Sequence, residues 1–529
     1  MLVLLGALAL SPVARADSAQ TSLMQDDQFL IDSGPRAMLD TLATMQRLGV
    51  QTVRVNVEWA NIAPDPGSRT APPGFAPGQA AAADPASYPA ANWAPYDRLA
   101  GAAPLYGISV QYNLTGPVPL WATGPGAPTA RVATHWQPSA TDFYDFVLAI
   151  GTRYDGNHGE PRVSQWSIWN EPNQPGWIAP QWLKVHGRVV PQSPRIYRAL
   201  VNSGYYGLLF SGHSTRTDTI LIGETAPEGE DSGGVSTPMT PIPFLRALYC
   251  VDRRLRPLRG RAARALGCPT RGTARAFAHA NAGLFAATGF AHHPYDFRHT
   301  PSTPWPDPNA VPLGDIGRLE RFLDGTFAAY GVRRRIPLYF TEYGYETRPP
   351  DPYRGVSLAT QADYLNESDY LAWRNPRVRS VAQFLLVDSA PNPAFTPSQR
   401  GYWDTFQTGL EFLNGAPKPA FAAYRMPLWL PQTHVRHGQS VFVWGQVRPA
   451  DALASQPVRV QWRGGGGRRW RTLATAHTAA RSGYFTVRVQ LPANGYVRSL
   501  WHGRISAGTV PGAVAVTLVS RRVPVLVRR

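Results

Sequence analysis

Between Gln20 and Leu430, stretches with an apolar residue every three or four positions alternate with short runs that are apolar almost throughout. The first spacing marks amphipathic helices, and the second marks strands buried on both faces. Residues 33–48 predict a helix stopped by Gly49, and 51–59 predict the strand after it. A polar, proline-broken stretch, 61–92, predicts a long loop without a buried element. The alternation then resumes with a helix over 93–106 and a strand over 107–112. Further helix and strand pairs are predicted at 142–154 with 163–169, 195–210 with 219–223, 273–287 with 289–293, 313–330 with 336–340, and 360–374 with 380–387. A short strand at 22–26 and a closing helix at 399–413 complete eight βα units. Such a series closes into a parallel barrel whose chemistry sits at the C-terminal ends of the strands. An open doubly wound sheet would offer a glycine-rich phosphate turn after its first strand, and none is present.

From Gly438 the apolar period changes to two, with six or seven short strands separated by Gly, Pro and Asn turns. This predicts an antiparallel, immunoglobulin-like sandwich. The expected fold class is therefore α/β: a (β/α)8 TIM barrel over 17–430, followed by a small all-β domain over 435–529. Leu2–Leu10 is an apolar run ending in Ser-Pro-Val-Ala-Arg-Ala, which reads as an exported leader over 1–16 without a charged start. Cys250 and Cys268 are the only cysteines. In an oxidising compartment they read as a disulfide closing a small loop rather than as two thiols, and without clustered histidines they make no zinc site.

The formal charge is +17, carried almost wholly by arginine, since Lys184 and Lys418 are the only lysines. From Pro431 onward there are fifteen arginines against Asp451 alone, +14, which leaves +3 for the first 430 residues. The barrel is thus nearly balanced, and the basic end is a module that could rest on an anionic wall or membrane. Nucleic acid is not expected as a partner, because the chain shows no reading motif and is taken to be exported. A monomer is expected.

Two segments carry candidate chemistry. Trp169-Asn170-Glu171-Pro172-Asn173 ends one strand, with an amide beside a carboxyl and a proline that turns the chain away. As a bare motif it also fits a surface turn. Thr341-Glu342-Tyr343-Gly344 ends another buried strand. In a closed barrel the strand ends meet in one bowl, so the two glutamates can face each other across a substrate. Paired carboxyls are what glycosidic cleavage needs, one to protonate the leaving oxygen and one to attack or activate water. Trp59, Trp121 and Trp177 are candidate walls for the apolar faces of sugar rings, with Trp121 and Trp177 the better ones. Asn113, ending the third strand, is a candidate hydroxyl partner. Glu224 and Glu346 are further acids for the bowl, to bind hydroxyls or pair with arginines. The arginine-rich segment 251–275 reads as a solvated face in preference to a site for an acidic glycan.

With both motifs in their expected repeats, the chain resembles the clan A glycoside hydrolases, nearest in organisation to families 39 and 5, over roughly residues 20–428. The resemblance implies Glu171 as acid/base and Glu342 as nucleophile of a retaining hydrolase. It also implies Arg54 beneath the nucleophile, Asn170 on the sugar 2-hydroxyl, and His293 and Tyr295 as the pair after strand six, of which Tyr295 could donate to the nucleophile. At most one of His292 and His293 can face the site. It implies no cofactor and no metal, and a poly- or oligosaccharide or glycoside as substrate. Strand eight departs from the clan pattern, with Leu386-Val387-Asp388 where many members carry a tryptophan, which weakens any transfer of a known subsite. A transglycosylase shares the covalent step, and a decayed, non-catalytic carbohydrate- or envelope-binding barrel is the alternative from another class.

Overall fold

A computed structural model describes residues 20–450, 454–506 and 512–528. The expected leader lies outside the described residues. Eight parallel strands form the closed barrel: β1 (Thr21–Gln25), β2 (Thr52–Glu58), β3 (Ser109–Thr115), β4 (Gln165–Ile168), β5 (Thr219–Thr225), β6 (Gly289–His292), β7 (Leu338–Phe340) and β8 (Val378–Phe384). Each strand pairs with its sequence neighbours, and β1 closes the ring by pairing with both β2 and β8. Along β2 the side chains alternate. Arg54 points to the barrel interior, where it bonds Gln25, Asn170 and Glu342, whereas Trp59 just past the strand packs outward on Phe143 and Phe146 of the helix Ala140–Arg153.

The helices fall where their periodicity puts them, with three departures. The helix expected over 273–287 is broken at Asn281 into Ala274–Ala280 and Ala282–Ala286. The closing helix expected over 399–413 is a single 3-10 turn, Arg400–Trp403, and a helix at Pro419–Arg425 closes the barrel instead. The loop over 61–92 is not bare either. Its Phe75 and Tyr88 are buried, and they pack edge-on against each other beside Trp121 and Trp93. Two isolated aromatics in a polar stretch carry no period, so the pattern does not reveal them.

The C-terminal region is all β. Leu428–Trp429, Ser440–Gln446 and Tyr484–Gln490 form one sheet, and the remaining strands form a larger one. Valines 441, 443, 458, 460, 489, 497, 523 and 525 fill the space between, while Arg459 and Arg488 face solvent as the alternation requires. One pairing is parallel rather than antiparallel, His434–Arg436 with Val523–Arg528. This region is bonded to the barrel, not strung from it. Arg448 meets the buried Asp369 at 2.8 Å, Tyr484 donates to Gln20, and Trp444 packs against Tyr370 and Trp373. Cys250 and Cys268 are joined as a disulfide. The eight arginines of segment 251–275, six of them inside the disulfide loop, are exposed, and none lines the cleft described below, which favours the solvated-face reading. No helix among the described residues is long and apolar enough to cross a membrane.

Candidate active site

The C-terminal mouth of the barrel holds a cleft of about 390 Å³, within the usual range of small-molecule sites. Glu171 enters it from the end of β4 and Glu342 from the end of β7. Four non-glycine residues at the barrel strand ends have positive φ: Trp169 (70°), Glu171 (31°), Glu224 (44°) and Leu385 (73°). Such backbone costs energy and persists only where its surroundings over-determine it, as at a site that must aim a side chain. Asn173, the last residue of the motif, works as a clasp. It donates to the carbonyls of Ala226 and Met239 and accepts from Ala226 N, tying the β4 loop to the β5 loop.

Arg54 is wholly buried and organises the floor. Nη1 donates to Glu342 Oε1 at 2.8 Å and to Gln25, and Nη2 donates to Asn170 Oδ1 at 2.7 Å and to Glu224 at 3.3 Å. Tyr295 donates to the other oxygen of Glu342 at 3.1 Å. His293 lies between three carboxyls. Its Nδ1 is 3.0 Å from Glu171 Oε1 and 3.5 Å from Glu342 Oε2, and its Nε2 is 2.6 Å from Glu224 Oε2. One carboxylate oxygen each of Glu171 and Glu342 and a ring nitrogen of His293 lie within 4.8 Å of one another. The trio has the make-up of a cation site, yet both ring nitrogens of His293 are committed to carboxylates and Arg54 already sits on Glu342. The negative charge is thus met by the protein's own cations.

Charge in this network follows from burial and pairing. Burial works against ionising Glu224, but Arg54, His293 and Ser167 outweigh it and hold the carboxyl down at about 2. Burial also opposes the charge on His293, but Glu342, Glu171 and Glu224 push it up to about 10. Glu342 is raised by burial first, against the pull of His293 and Arg54, with Glu171 and Glu224 adding repulsion. His292 faces the other way, between Thr225 and the carbonyl of Val311, and burial lowers it to about 4. Only one of the two histidines therefore meets the site, as strand alternation requires.

Of the other sequence candidates, Asn170 and Trp177 line the cleft. Trp59, Trp121 and Asn113 do not. Trp59 is fully buried and stacks on Phe146, and Trp121 packs edge-on to Trp59 and donates to the carbonyl of Pro64. Trp59 keeps the outward parity of β2, and Trp121, on the 3-10 turn Leu120–Ala122, packs into the same aromatic cluster with Phe75. Asn113 points inward but stops below the cleft, donating to Asn56 and Asn170. Glu346 is buried yet does not line the cleft. At strand eight, where the clan's tryptophan is missing, Phe384 and Phe406 supply the aromatic wall, edge to face at 5.2 Å. Asp388 is buried on Lys418 at 2.6 Å. Polar residues not foreseen include Gln25, Asp27, Asn56, Glu58, Gln174 and Glu228, on strands or loops, and Asp32, which ends the short π-helix Gln28–Asp32. The polar triplet Gln25-Asp26-Asp27 closing an apolar strand was their one visible signal.

Several of these acids tie stability to pH. Burial raises Asp26 and Glu58 to about 7, and Asp27 to about 6. A carboxyl whose folded value lies above its unfolded one contributes stability below the unfolded value and loses it as pH rises through the folded one. His293, also raised, loses its contribution as pH rises towards 10. His292, lowered, works in the opposite sense, but only up to the ordinary histidine value near 6.5. The thermal midpoint is therefore expected to fall between about pH 6.5 and 8. Differential scanning calorimetry across that interval checks it, and a flat or rising midpoint would contradict the assignment.

No protein-family model matches the chain, and no curated protein does either. Solved structures of similar outline include a GH5_18 protein from Streptomyces cattleya in complex with GlcNAc (14% identity, covering 80% of this chain and 85% of that one, TM-score 0.43). Another is AbfB, a family 51 alpha-L-arabinofuranosidase from Bifidobacterium longum (12%, 92% and 98%, 0.39). A third is Fpglu1 from fervidobacterium pennivoraus (13%, 77% and 95%, 0.41). At such identities and scores, the chemistry has to be read from the geometry of the site itself.

Proposed function

We propose that the chain is a glycoside hydrolase that cleaves O-glycosidic bonds of a poly- or oligosaccharide by retaining double displacement. The observation that carries this reading is the pair of strand-end glutamates, with oxygens within 4.8 Å across one cleft. Retaining pairs stand about 5–5.5 Å apart, and inverting pairs about 6.5–9.5 Å, leaving room for a water between them. Glu342 is the nucleophile. Arg54 and Tyr295 each donate to one of its oxygens, which fixes its aim and favours its ionised form. It attacks the anomeric carbon while Glu171, on the more open wall, gives its proton to the departing oxygen. Glu171 then takes a proton from water, whose oxygen displaces Glu342 from the sugar. Double displacement needs one proton on the pair, with one glutamate as acid and the other as carboxylate. Asn170, fixed by Arg54 on one side and Thr115 on the other, is placed to hold the ring hydroxyl beside the reacting carbon.

The cleft also favours a class of glycan. Asp27, Asp32, Glu58 and Glu228 line it with the two glutamates, and no lysine, arginine or histidine does. A uronate or phosphate entering it would meet several acidic groups and no cation on the lining. A screen of purified protein against a glycan panel, with product anomers read by NMR, is expected to find a neutral or amine-bearing glycan cleaved with retention. Polyuronates should be cleaved about 100-fold more slowly or not at all. Inverted product would refute the mechanism, and preference for a polyuronate would refute the selectivity. Export belongs to the same proposal, supported by the leader-like start and the disulfide. The +14 of the C-terminal region would then hold the enzyme near anionic envelope polymers, by an attachment that weakens with salt.

A further inference from the structure

Glu224 is one of three carboxyls in the network, yet it has no place in double displacement. It is wholly buried at the end of β5 and does not line the cleft, so no substrate touches it. All its neighbours are donors. Ser167 donates to Oε1, and Arg54, Thr341 and His293 donate to Oε2. A carboxyl so surrounded accepts only, so Nε2 of His293 must carry its hydrogen. The opposite nitrogen, Nδ1, faces oxygens of Glu171 and Glu342, which are acceptors as well.

We propose that Glu224 is a positioning residue for the acid/base: its carboxylate holds His293 as an imidazolium, whose Nδ1–H fixes one oxygen of Glu171 and leaves the other free to carry the proton that the leaving group takes. The proposal rests on Glu171 being the acid/base. The charged and titratable groups facing His293 are Arg54 from β2, Glu171 after β4, Glu224 on β5, His292 and Tyr295 beside it in the β6 segment, and Glu342 after β7, with Asp27 behind Arg54. Two cations face three carboxyls here. Remove the charge of Glu224 and two cations face two carboxyls, so the cluster holds its protons less tightly and His293 gives one up at lower pH. The alternative is a neutral imidazole whose Nδ1 accepts from a protonated Glu171. That would aim the acid's proton at the ring instead of the sugar.

Histidine-selective 15N spectra of the intact protein at pH 8 separate the two. The His293 signals are assigned by their loss in His293→Gln. The expected result is two protonated ring nitrogens in the parent protein and one unprotonated nitrogen in Glu224→Gln. An unprotonated nitrogen in the parent, or an unchanged pair in the variant, overturns the proposal. If Glu224→Gln does not fold, the parent spectrum still decides. On the glycoside found by the panel, the basic limb of kcat/KM in Glu224→Gln is expected about one pH unit or more below that of the parent. A purely structural role for Glu224 would lower the rate without moving the limb, and a limb that stays in place overturns the proposal. If no glycan is turned over, the hydrolase reading fails, and the spectra still report on the Glu224–His293 pair alone.

Discussion

Glu342→Gln should abolish turnover, lowering kcat by about 10⁵-fold, which corresponds to about 7 kcal/mol of barrier. The amide is nearly the same size; its oxygen still accepts from Arg54 and its NH2 can donate to the Tyr295 hydroxyl, so the fold should survive while the nucleophile is gone. Glu171→Gln should behave differently. Without general acid help, an unactivated glycoside loses about 10²- to 10⁴-fold in rate, whereas an aryl glycoside whose leaving group needs no proton loses much less in the first step. The two variants therefore separate by substrate, which a shared structural defect would not produce. A fluorinated donor should trap the sugar on Glu342, visible as a mass increase confined to the peptide that carries it. Full activity in either variant on a validated substrate would refute the pair, and a trapped sugar on Glu171 would exchange their roles.

The barrel could be read from the sequence because its signal is repeated. Eight apolar runs alternate with eight helical patterns, so an error in any one element leaves the count intact. The closing element went astray although its period is present. Tyr402, Phe406, Leu410 and Leu413 stand at helical spacing, but Thr405, Thr408 and Gly409 are poor helix formers, and the carbonyls of Gln407 and Thr408 are taken by Lys418, Gln361 and Gln383. Pro419 begins the true closing helix, where proline suits a first turn. The glutamate pair was legible because each glutamate ends an apolar run, and a charged residue just past such a run has only the barrel mouth to occupy.

Side-chain direction was partly legible and partly not. Within β2 and β3, strict alternation separates Arg54, Gln111 and Asn113, which point inward, from Val55, Tyr112 and Trp59, which pack on the helices, so Trp59 could have been assigned to the core by parity. Past Ile168 the alternation fails, because Trp169 and Glu171 take left-handed backbone that no periodicity announces. Of the acidic lining, only Asp27 was signalled, by the polar triplet that ends β1. Asp32 follows in the next turn and Glu58 ends β2, and the three meet only once β1 and β2 pair.

Arg54→Leu is expected to be the most destabilising single change in the barrel floor. Its guanidinium satisfies Gln25, Asn170, Glu224 and Glu342 at once, all from different strands or strand ends. A leucine would leave two buried carboxyls facing each other with only His293 between them. Breaking a buried pair from one side costs about 3–5 kcal/mol, because the remaining charge has no solvent to turn to. For a domain of this size the thermal midpoint should fall by about 5–10 °C. The loss should depend on pH in a defined direction. Glu224, held at about 2 against an ordinary value of 4.5, contributes stability that is complete above the ordinary value and lost as pH falls towards 2. Without Arg54 that contribution shrinks, so the gap between parent and variant should be widest near neutrality and narrow below about pH 4. Arg54→Lys sharpens the test. An ammonium restores one positive charge but not a planar fork reaching four acceptors, so stability should recover in part while turnover stays low. If Arg54→Leu melted with the parent at pH 7, the floor would not be held by this guanidinium, and the aim of Glu342 would need another source.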